Sequence, residues 1–395
     1  MSSLHPLDDS PFGMGIYPSH RTTGDETIRA AQLARDAGIR WTRDEIGWAG
    51  LQPTRGEWRW QRFDRAVDTM RAHGIETLGL LCYSAPWAAT GRRPDGTPAG
   101  ESMPDLDAWR GYVGGGVEHF RDRVHAWEMW NEPNNAGFWG GKPDPRAYAR
   151  LLAAGYEAAK EADPTCWVMG CNMWAQMPYL RIVFEEGGLD HLDIIGIHPY
   201  RYPYTPEHSD FTGEMVEVAA LAAEFGGVKP IWLSEVGYAT HTSAGGSSEW
   251  WAGAALMRTY LLAWSSGYVG KVFWYDFRDD GDDASYNEHN FGIIRRDWTP
   301  KMGYTGFKAM ADALEGCRPD GQFDLGRNVR ALRFRKGTET RLAAWATEMN
   351  AKVPIPAPAD RVKVIYPWVR EVEREAKNGY VMLDVYATPT FIVPA

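Results

Sequence analysis

Eight times between residues 11 and 315 the chain passes through a short apolar run and then a longer stretch with its apolar residues at helical spacing. The short runs fall at 11–17, 39–42, 75–82, 126–132, 166–173, 193–198, 230–237 and 271–277. Between them, sets such as Ala30, Leu33, Ala34 and Ala37, or Phe63, Ala66, Val67 and Met70, mark one face of a helix. Apolar strands that do not alternate with polar residues are buried on both faces, as in a parallel sheet covered by helices. Eight units of one rhythm predict an α/β fold, a (β/α)8 TIM barrel over residues 11–315, rather than an open doubly wound sheet. No Gly-x-Gly-x-x-Gly follows the first strand, which counts against a dinucleotide site. The segments after the strands are long and aromatic, as at 83–104, and those after the helices are short, so function is expected at the carboxyl ends of the strands.

After Gly316 the rhythm changes. Short β runs at 341–347, 361–366, 380–386 and 390–394, with one helix expected at 369–376, predict a small C-terminal β module, sandwich-like, over residues 316–395. A net charge of −10 argues against a nucleic-acid partner, since phosphate binding relies on Lys and Arg. No apolar run approaches the roughly 18 residues of a membrane span. Residues 1–10 carry no basic, apolar secretory signal, so a cytoplasmic location is expected for the chain as written, or a secreted or periplasmic one if a signal has been removed. Cys82, Cys166, Cys171 and Cys317 form no Cys-x-x-Cys pair and read as free, buried thiols. The 19 Trp and 18 Tyr suit stacking on the apolar faces of sugar rings.

Chemistry concentrates where two of the apolar runs end. Residues 126–134 read Ala-Trp-Glu-Met-Trp-Asn-Glu-Pro-Asn, and residues 230–237 read Pro-Ile-Trp-Leu-Ser-Glu-Val-Gly. Each run closes on a glutamate, Glu132 and Glu235. Strand ends of a closed barrel converge on one axis, so both carboxylates are expected at one pocket, as glycoside hydrolysis requires. Burial at the strand end is expected to raise the Glu132 carboxyl toward neutrality, fitting it as a proton donor. Asn131, one residue earlier, is placed to fix a substrate hydroxyl. The bland alternative is that each glutamate caps a loop or pairs with an arginine.

Trp130-Asn131-Glu132-Pro133, with Ser234-Glu235 on a later strand, resembles clan A of the glycoside hydrolases. Ala85-Pro86-Trp87, His198-Pro199-Tyr200, Phe291-Gly292 and Thr299-Pro300-Lys301 are most similar to family 39. Family 5 is second, because it usually has a histidine at the end of strand three where this chain reads Cys82-Tyr83-Ser84. The resemblance covers the barrel. It implies a retaining double displacement on β-glycosidic bonds of oligo- or polysaccharides, with Glu235 as nucleophile and Glu132 as acid/base.

Supporting roles follow. Arg43 is expected to hold Glu235 ionised, Tyr200 to hydrogen-bond it, and His198 to bind a sugar hydroxyl. Trp274 is expected to floor the sugar whose bond is cut, and Trp87 with at least one of Trp48 and Trp174 to line the same cleft. Tyr17, His20 and Asp276 are weaker candidates. The run Asp279-Asp280-Gly281-Asp282-Asp283 does not match a calcium loop and reads as a solvated acidic loop. No metal or cofactor is expected, and the partner is a carbohydrate; oligomeric state stays open. Two rivals remain: a transglycosylase using the same covalent intermediate, and a glycan-binding barrel without turnover.

Overall fold

The computed structural model describes residues 10–208, 210–326 and 328–395; the stretch read for a secretory signal lies outside them except for Ser10. Strands β1 (Phe12–Gly15), β2 (Trp41–Glu45), β3 (Glu76–Leu81), β4 (Ala126–Met129), β5 (Trp167–Met173), β6 (Ile194–Ile197), β7 (Ile231–Val236) and β8 (Val269–Trp274) form a closed parallel barrel in sequence order, β8 pairing with β1. A helix follows each strand on the outside, the principal ones being Asp25–Asp36, Gln61–Ala72, Leu106–Phe120, Pro145–Ala162, Met177–Glu185, Phe211–Glu224, Glu249–Ser265 and Met302–Leu314. Polar side chains set several helix starts. Asp105 accepts from the Ala108 amide, and Asp144 accepts from Arg146 and Ala147 with Pro145 in the first turn. The helix Met177–Glu185 has no counterpart in the sequence reading.

The barrel is filled in layers. Trp41, Leu78, Ala126, Met169, Ile194, Trp232 and Phe273 form one buried cluster, with one residue from each strand from β2 to β8. Side chains along a strand alternate in direction, so the residue two further on points inward again, one layer higher. That rule carries Arg43, Glu128, Ser234 and Tyr275 to the layer above this apolar floor, and sends Trp127 and Trp274 outward into the core shared with the helices. Close packing tolerates these large outward rings only beside small residues. A Cβ on Gly79 would lie 2.7 Å from the Trp127 ring of the neighbouring strand.

The C-terminal module is antiparallel. Strands β9 (Arg318–Asp324), β10 (Val329–Lys336), β11 (Glu339–Ala346), β13 (Arg361–Tyr366), β14 (Arg370–Glu375) and β16 (Thr390–Pro394) form a six-stranded sheet. The pair β12 (Ala351–Pro356) and β15 (Tyr380–Val385) packs on it through Ile355, Val381 and Leu383. The helix expected at 369–376 is therefore a correction: that stretch is β14, paired with β13 with Val364 opposite Val372. Arg-Glu-Val-Glu-Arg-Glu favours a helix by composition but offers no apolar stripe for one to bury. At a sheet edge, charged side chains are at home and discourage further pairing. The module is bound to the barrel through Phe334, Trp345 and Phe391, which share the main core. The Trp345 indole N–H also donates to Glu207 Oε1 at 2.8 Å, while Arg258 Nε donates to the same oxygen at 3.0 Å.

One buried carboxyl makes the barrel's stability depend on pH. Asp44 on β2 is fully buried, and burial pushes it up to about 7 although the Ser19 amide and hydroxyl donate to it at 3.1 and 2.9 Å. An acid that holds its proton longer in the folded chain than in the unfolded one adds stability as pH falls. Its contribution is full below about 4 and fades as pH rises through 7. Thermal or urea unfolding of Asp44→Asn and wild type at pH 5 and pH 8 is expected to show wild type losing about 2–3 kcal/mol relative to the variant at the higher pH. Parallel pH profiles would mean Asp44 is ionised throughout.

Candidate active site

Arg43 is the hub of the carboxyl end of the barrel. Its guanidinium is fully buried and every face of it is used. Nε and Nη2 donate to the two oxygens of Glu128, each at 2.7 Å, and Nη2 also donates to Asn131 Oδ1 at 2.7 Å. Nη1 donates to the Tyr17 hydroxyl and to Glu235 Oε2, both at 2.7 Å. Burial alone would lower the Arg43 pKa, but Glu128, Tyr17 and Glu235 outweigh it and hold the guanidinium well above its ordinary value. The second oxygen of Glu235 accepts from the Tyr200 hydroxyl at 2.6 Å. Burial, and then the neighbouring Glu235, raise the Tyr200 phenol far above its usual value, which keeps it a proton-bearing donor.

Glu132 is aimed differently. The chain turns sharply after β4, with Trp130 and Glu132 in the left-handed region at φ 67° and 46°. Such backbone persists only where its surroundings enforce it. Here Asn172 of β5 does so: its side-chain amide donates to the Met129 and Trp130 carbonyls at 3.0 Å, and its own carbonyl accepts the Glu132 amide at 3.0 Å. The Glu132 carboxylate then meets His198 Nδ1 at 3.0 Å through Oε1, and its Oε2 accepts from Asn135 Nδ2 at 3.1 Å. His198 Nε2 is 3.0 Å from the Ser234 hydroxyl, on the residue before Glu235. Each glutamate is thus linked to the residue before the other, Glu132 through His198 to Ser234 and Glu235 through Arg43 to Asn131.

Glu132, Asn134, Asn135, Trp174, His198 and Tyr200 line an open cleft of about 460 Å³. Trp174 stands at its edge, 62% exposed, and Asn134 Nδ2 donates to the Trp174 carbonyl at 3.1 Å. Glu132 and Glu235 are each about one-sixth exposed, at 17% and 16% for the side chains. Two partly exposed carboxylates with unlike partners, Glu132 in the cleft and Glu235 bonded to its lining residue Tyr200, suit acid–base and nucleophilic chemistry on a sugar.

Comparison with known proteins agrees. A family model described as beta-galactosidase, glycoside hydrolase family 42, matches residues 16–99. No curated protein matches the chain. Among solved structures, a family 39 glycoside hydrolase from the gut symbiont Bacteroides cellulosilyticus is 25% identical with a TM-score of 0.83, the alignment covering 100% of this chain and 82% of that one. A family 39 beta-xylosidase from Caulobacter crescentus is 20% identical with a TM-score of 0.73, covering 99% and 97%. A family 30 endoxylanase from Clostridium papyrosolvens is 14% identical with a TM-score of 0.67, covering 98% and 97%. The chain is a glycosidase, and the solved structures it resembles include family 39 glycoside hydrolases.

Several residues expected at the site of this glycoside hydrolase lie elsewhere. Trp274 is 1% exposed and stacks on Tyr238 with ring centroids 5.8 Å apart, over the helices. The pleat turns it outward, and Tyr275, one residue on and just past β8, has its ring 6.2 Å from that of Tyr17. Trp48 is fully buried, stacked on Tyr112 at 4.5 Å, and Trp87 packs edge-on against Trp48 while donating to the Gln52 carbonyl; neither lines the cleft of Glu132. Asp276 is buried and pairs with Arg21. His20 lines a separate cavity of about 280 Å³ beside Arg21 and Asp280. The Asp279–Asp283 run is only partly solvated, since Asp279 pairs with Lys301 at 2.7 Å and Asp280 with Arg21 at 3.0 Å. Among the described residues no cluster of His, Cys, Asp and Glu could hold a metal ion.

The expected rise in the Glu132 carboxyl is also corrected. Burial does push it up, but the hydrogen bond and electrostatic pull of His198, with help from Asn135 and Arg43, leave it below the ordinary glutamate value. Removing His198 is therefore expected to let burial win. By ¹³C NMR, the Glu132 carboxyl of His198→Ala should titrate at higher pH than that of wild type. A titration that stays put or falls would show that His198 does not hold Glu132 ionised.

Proposed function

We propose that this glycosidase cleaves β-glycosidic bonds of oligo- or polysaccharides with retention, Glu235 acting as nucleophile and Glu132 as acid/base. The observation that carries the assignment is the difference between the two carboxylates' partners. Glu235 is bound by a permanent cation and a phenol, which suits an oxygen that must remain an anion until it attacks. Glu132 is bound by an imidazole and an amide, groups that tolerate either protonation state.

In the first step a Glu235 oxygen attacks the anomeric carbon. The bond to the leaving oxygen breaks, and that oxygen takes the proton of Glu132. In the second, water attacks the same carbon, gives its proton to Glu132, and the Glu235 ester bond breaks. Glu132 must carry a proton when the first step begins, although the unliganded site favours its carboxylate. A bound glycan that displaces water from the cleft strengthens the burial contribution in the required direction. Conversion of Glu235 to an ester then removes one negative charge, which favours the Glu132 carboxylate for the second step. Trp174, exposed beside Glu132, is placed to stack on the leaving group or on an acceptor sugar.

The retaining chemistry implies carboxyl carbons roughly 5–5.5 Å apart. Its direct test is the anomer released, read by NMR within the first turnovers: inversion would overturn the double displacement.

Variants of the two glutamates should separate their roles. Glu235→Ala is expected to abolish turnover of every glycoside. Glu132→Ala should lose about 10²–10⁴-fold on poor leaving groups but still form the glycosyl-enzyme from activated aryl glycosides. Azide, which needs no base, should then restore its rate and yield a β-glycosyl azide. Rescue of Glu235→Ala to an α-azide, with none for Glu132→Ala, would exchange the two roles. Binding of glycans without turnover by wild type would favour the lectin-like rival.

A further inference from the structure

Glu128 has no role in the double displacement as written, yet it is the most completely engaged carboxylate of the site. It is 0% exposed and receives two hydrogen bonds of 2.7 Å from Arg43 in a bidentate pair. Such residues are almost never fully buried without a partner, and here the partner is also the cation that binds the nucleophile. We infer that Glu128 is a positioning residue that acts through Arg43, serving as its permanent counterion so that the buried guanidinium stays paired when Glu235 becomes an ester.

The charges make the case. In the resting enzyme Arg43 faces two carboxylates, Glu128 and Glu235, and the three groups carry a net −1. When Glu235 bonds to the anomeric carbon its charge is lost, and the net becomes zero. Without Glu128 the same step would begin at zero and end at +1, leaving a desolvated guanidinium unpaired beside a sugar that is itself cationic in the transition state. Glu128 therefore favours both the glycosyl-enzyme and the transition states that flank it. Because its charge also offsets part of Arg43's pull, it keeps Glu235 from being held too tightly as a free carboxylate to attack.

Among the described residues, Arg43 has no carboxylate partners besides Glu128 and Glu235. The groups that face Glu128 besides Arg43 are Cys82 and Tyr148, both buried and both raised by that burial, so they stay neutral. Around Glu235 stand Arg43, Tyr17 and Tyr200, with Tyr275 and Glu288 sensing its charge from the strand-eight side.

The inference rests on the proposed nucleophile, and its test separates the two. Glu128→Gln keeps the side-chain shape and removes the charge. Expected are a fall in glycosyl-enzyme formation of tenfold or more with little change in KM, and an acid limb of kcat/KM displaced to lower pH, because Arg43 now belongs to Glu235 alone. Glu128→Asp, which keeps the charge, should lose rate without displacing the limb. A limb that stays in place in Glu128→Gln would make Glu128 a merely structural partner and overturn the inference. ¹³C titration of the Glu235 carboxyl in wild type and Glu128→Gln reads the same displacement without turnover. A chain inactive on every glycoside would thus refute the proposed function while this test still stands. In an Arg43→Gln background the Glu128→Gln change should displace the Glu235 titration less than it does with Arg43 present; an equal displacement would show that Glu128 does not act through Arg43 and overturn the inference.

Discussion

The carboxyl end of this barrel depends on one buried guanidinium. Arg43 carries a single positive charge and binds two carboxylates, a phenol and an amide. Moving a charge from water into a protein costs several kcal/mol, and breaking a buried pair by deleting one partner costs about 3–5 kcal/mol, so the cation and its anions are retained or lost together. The same bonds orient Glu235 and Asn131, side chains of the proposed site. Asn131 has its oxygen on Arg43 and its amide nitrogen on the Tyr83 hydroxyl at 3.0 Å, which fixes the orientation of its amide. A polar network of this kind is worth its cost only when every member is satisfied, and here stability and chemistry make the same demand.

The network can exist because the barrel supplies a dry floor beneath it. One apolar residue per strand from β2 to β8 closes the bottom, and the pleat lifts the next inward residues into a common layer. That geometry explains what the sequence made legible. The eight-strand rhythm, the barrel and the two strand-end glutamates follow from apolar runs and their last residues. Arg43, Asn131, His198 and Tyr200 stand at or just past those ends, where any inward residue reaches the axis. The module after Gly316 was legible as β but not strand by strand. Its strands are half exposed, and β14 consists of charges whose β pairing comes from its neighbour rather than from its own composition.

What stayed illegible has a common cause. A one-residue change of direction decides whether a side chain enters the site or the outer core, and composition does not carry that information. Trp274 and Tyr275 are adjacent, and the larger ring went to the helices. Glu128 was visible inside the Trp-Glu-Met-Trp run, but only the floor residue Ala126, two positions earlier, marks it as inward. The Glu132 carboxyl was misjudged because burial was read without the partners: His198 comes from just past β6 and Asn135 from the loop beyond Pro133, and neither is implied by the strand that precedes the glutamate. An ionisable group's state is set by the difference between burial and bonding, and only the first can be guessed from an apolar neighbourhood.

The two glutamates are held by opposite means, and the contrast fits the proposed chemistry. Glu235 lies on a strand and is clamped by a cation and a phenol, so its position and charge are stiffly set before any substrate arrives. Glu132 lies beyond the strand, on backbone bent into the left-handed region and braced by Asn172, and its carboxylate touches only groups that accept a change of proton. A nucleophile must hold one state until the moment of attack, whereas an acid/base must change state twice in each cycle. Building the first on a permanent cation and the second on a strained turn with an imidazole and an amide separates those demands physically. Exchange of the two environments would give a nucleophile easily neutralised by a proton and an acid that could never regain one. The direction of the chemistry is therefore written less in the glutamates themselves, which are chemically identical, than in which of them Arg43 can reach.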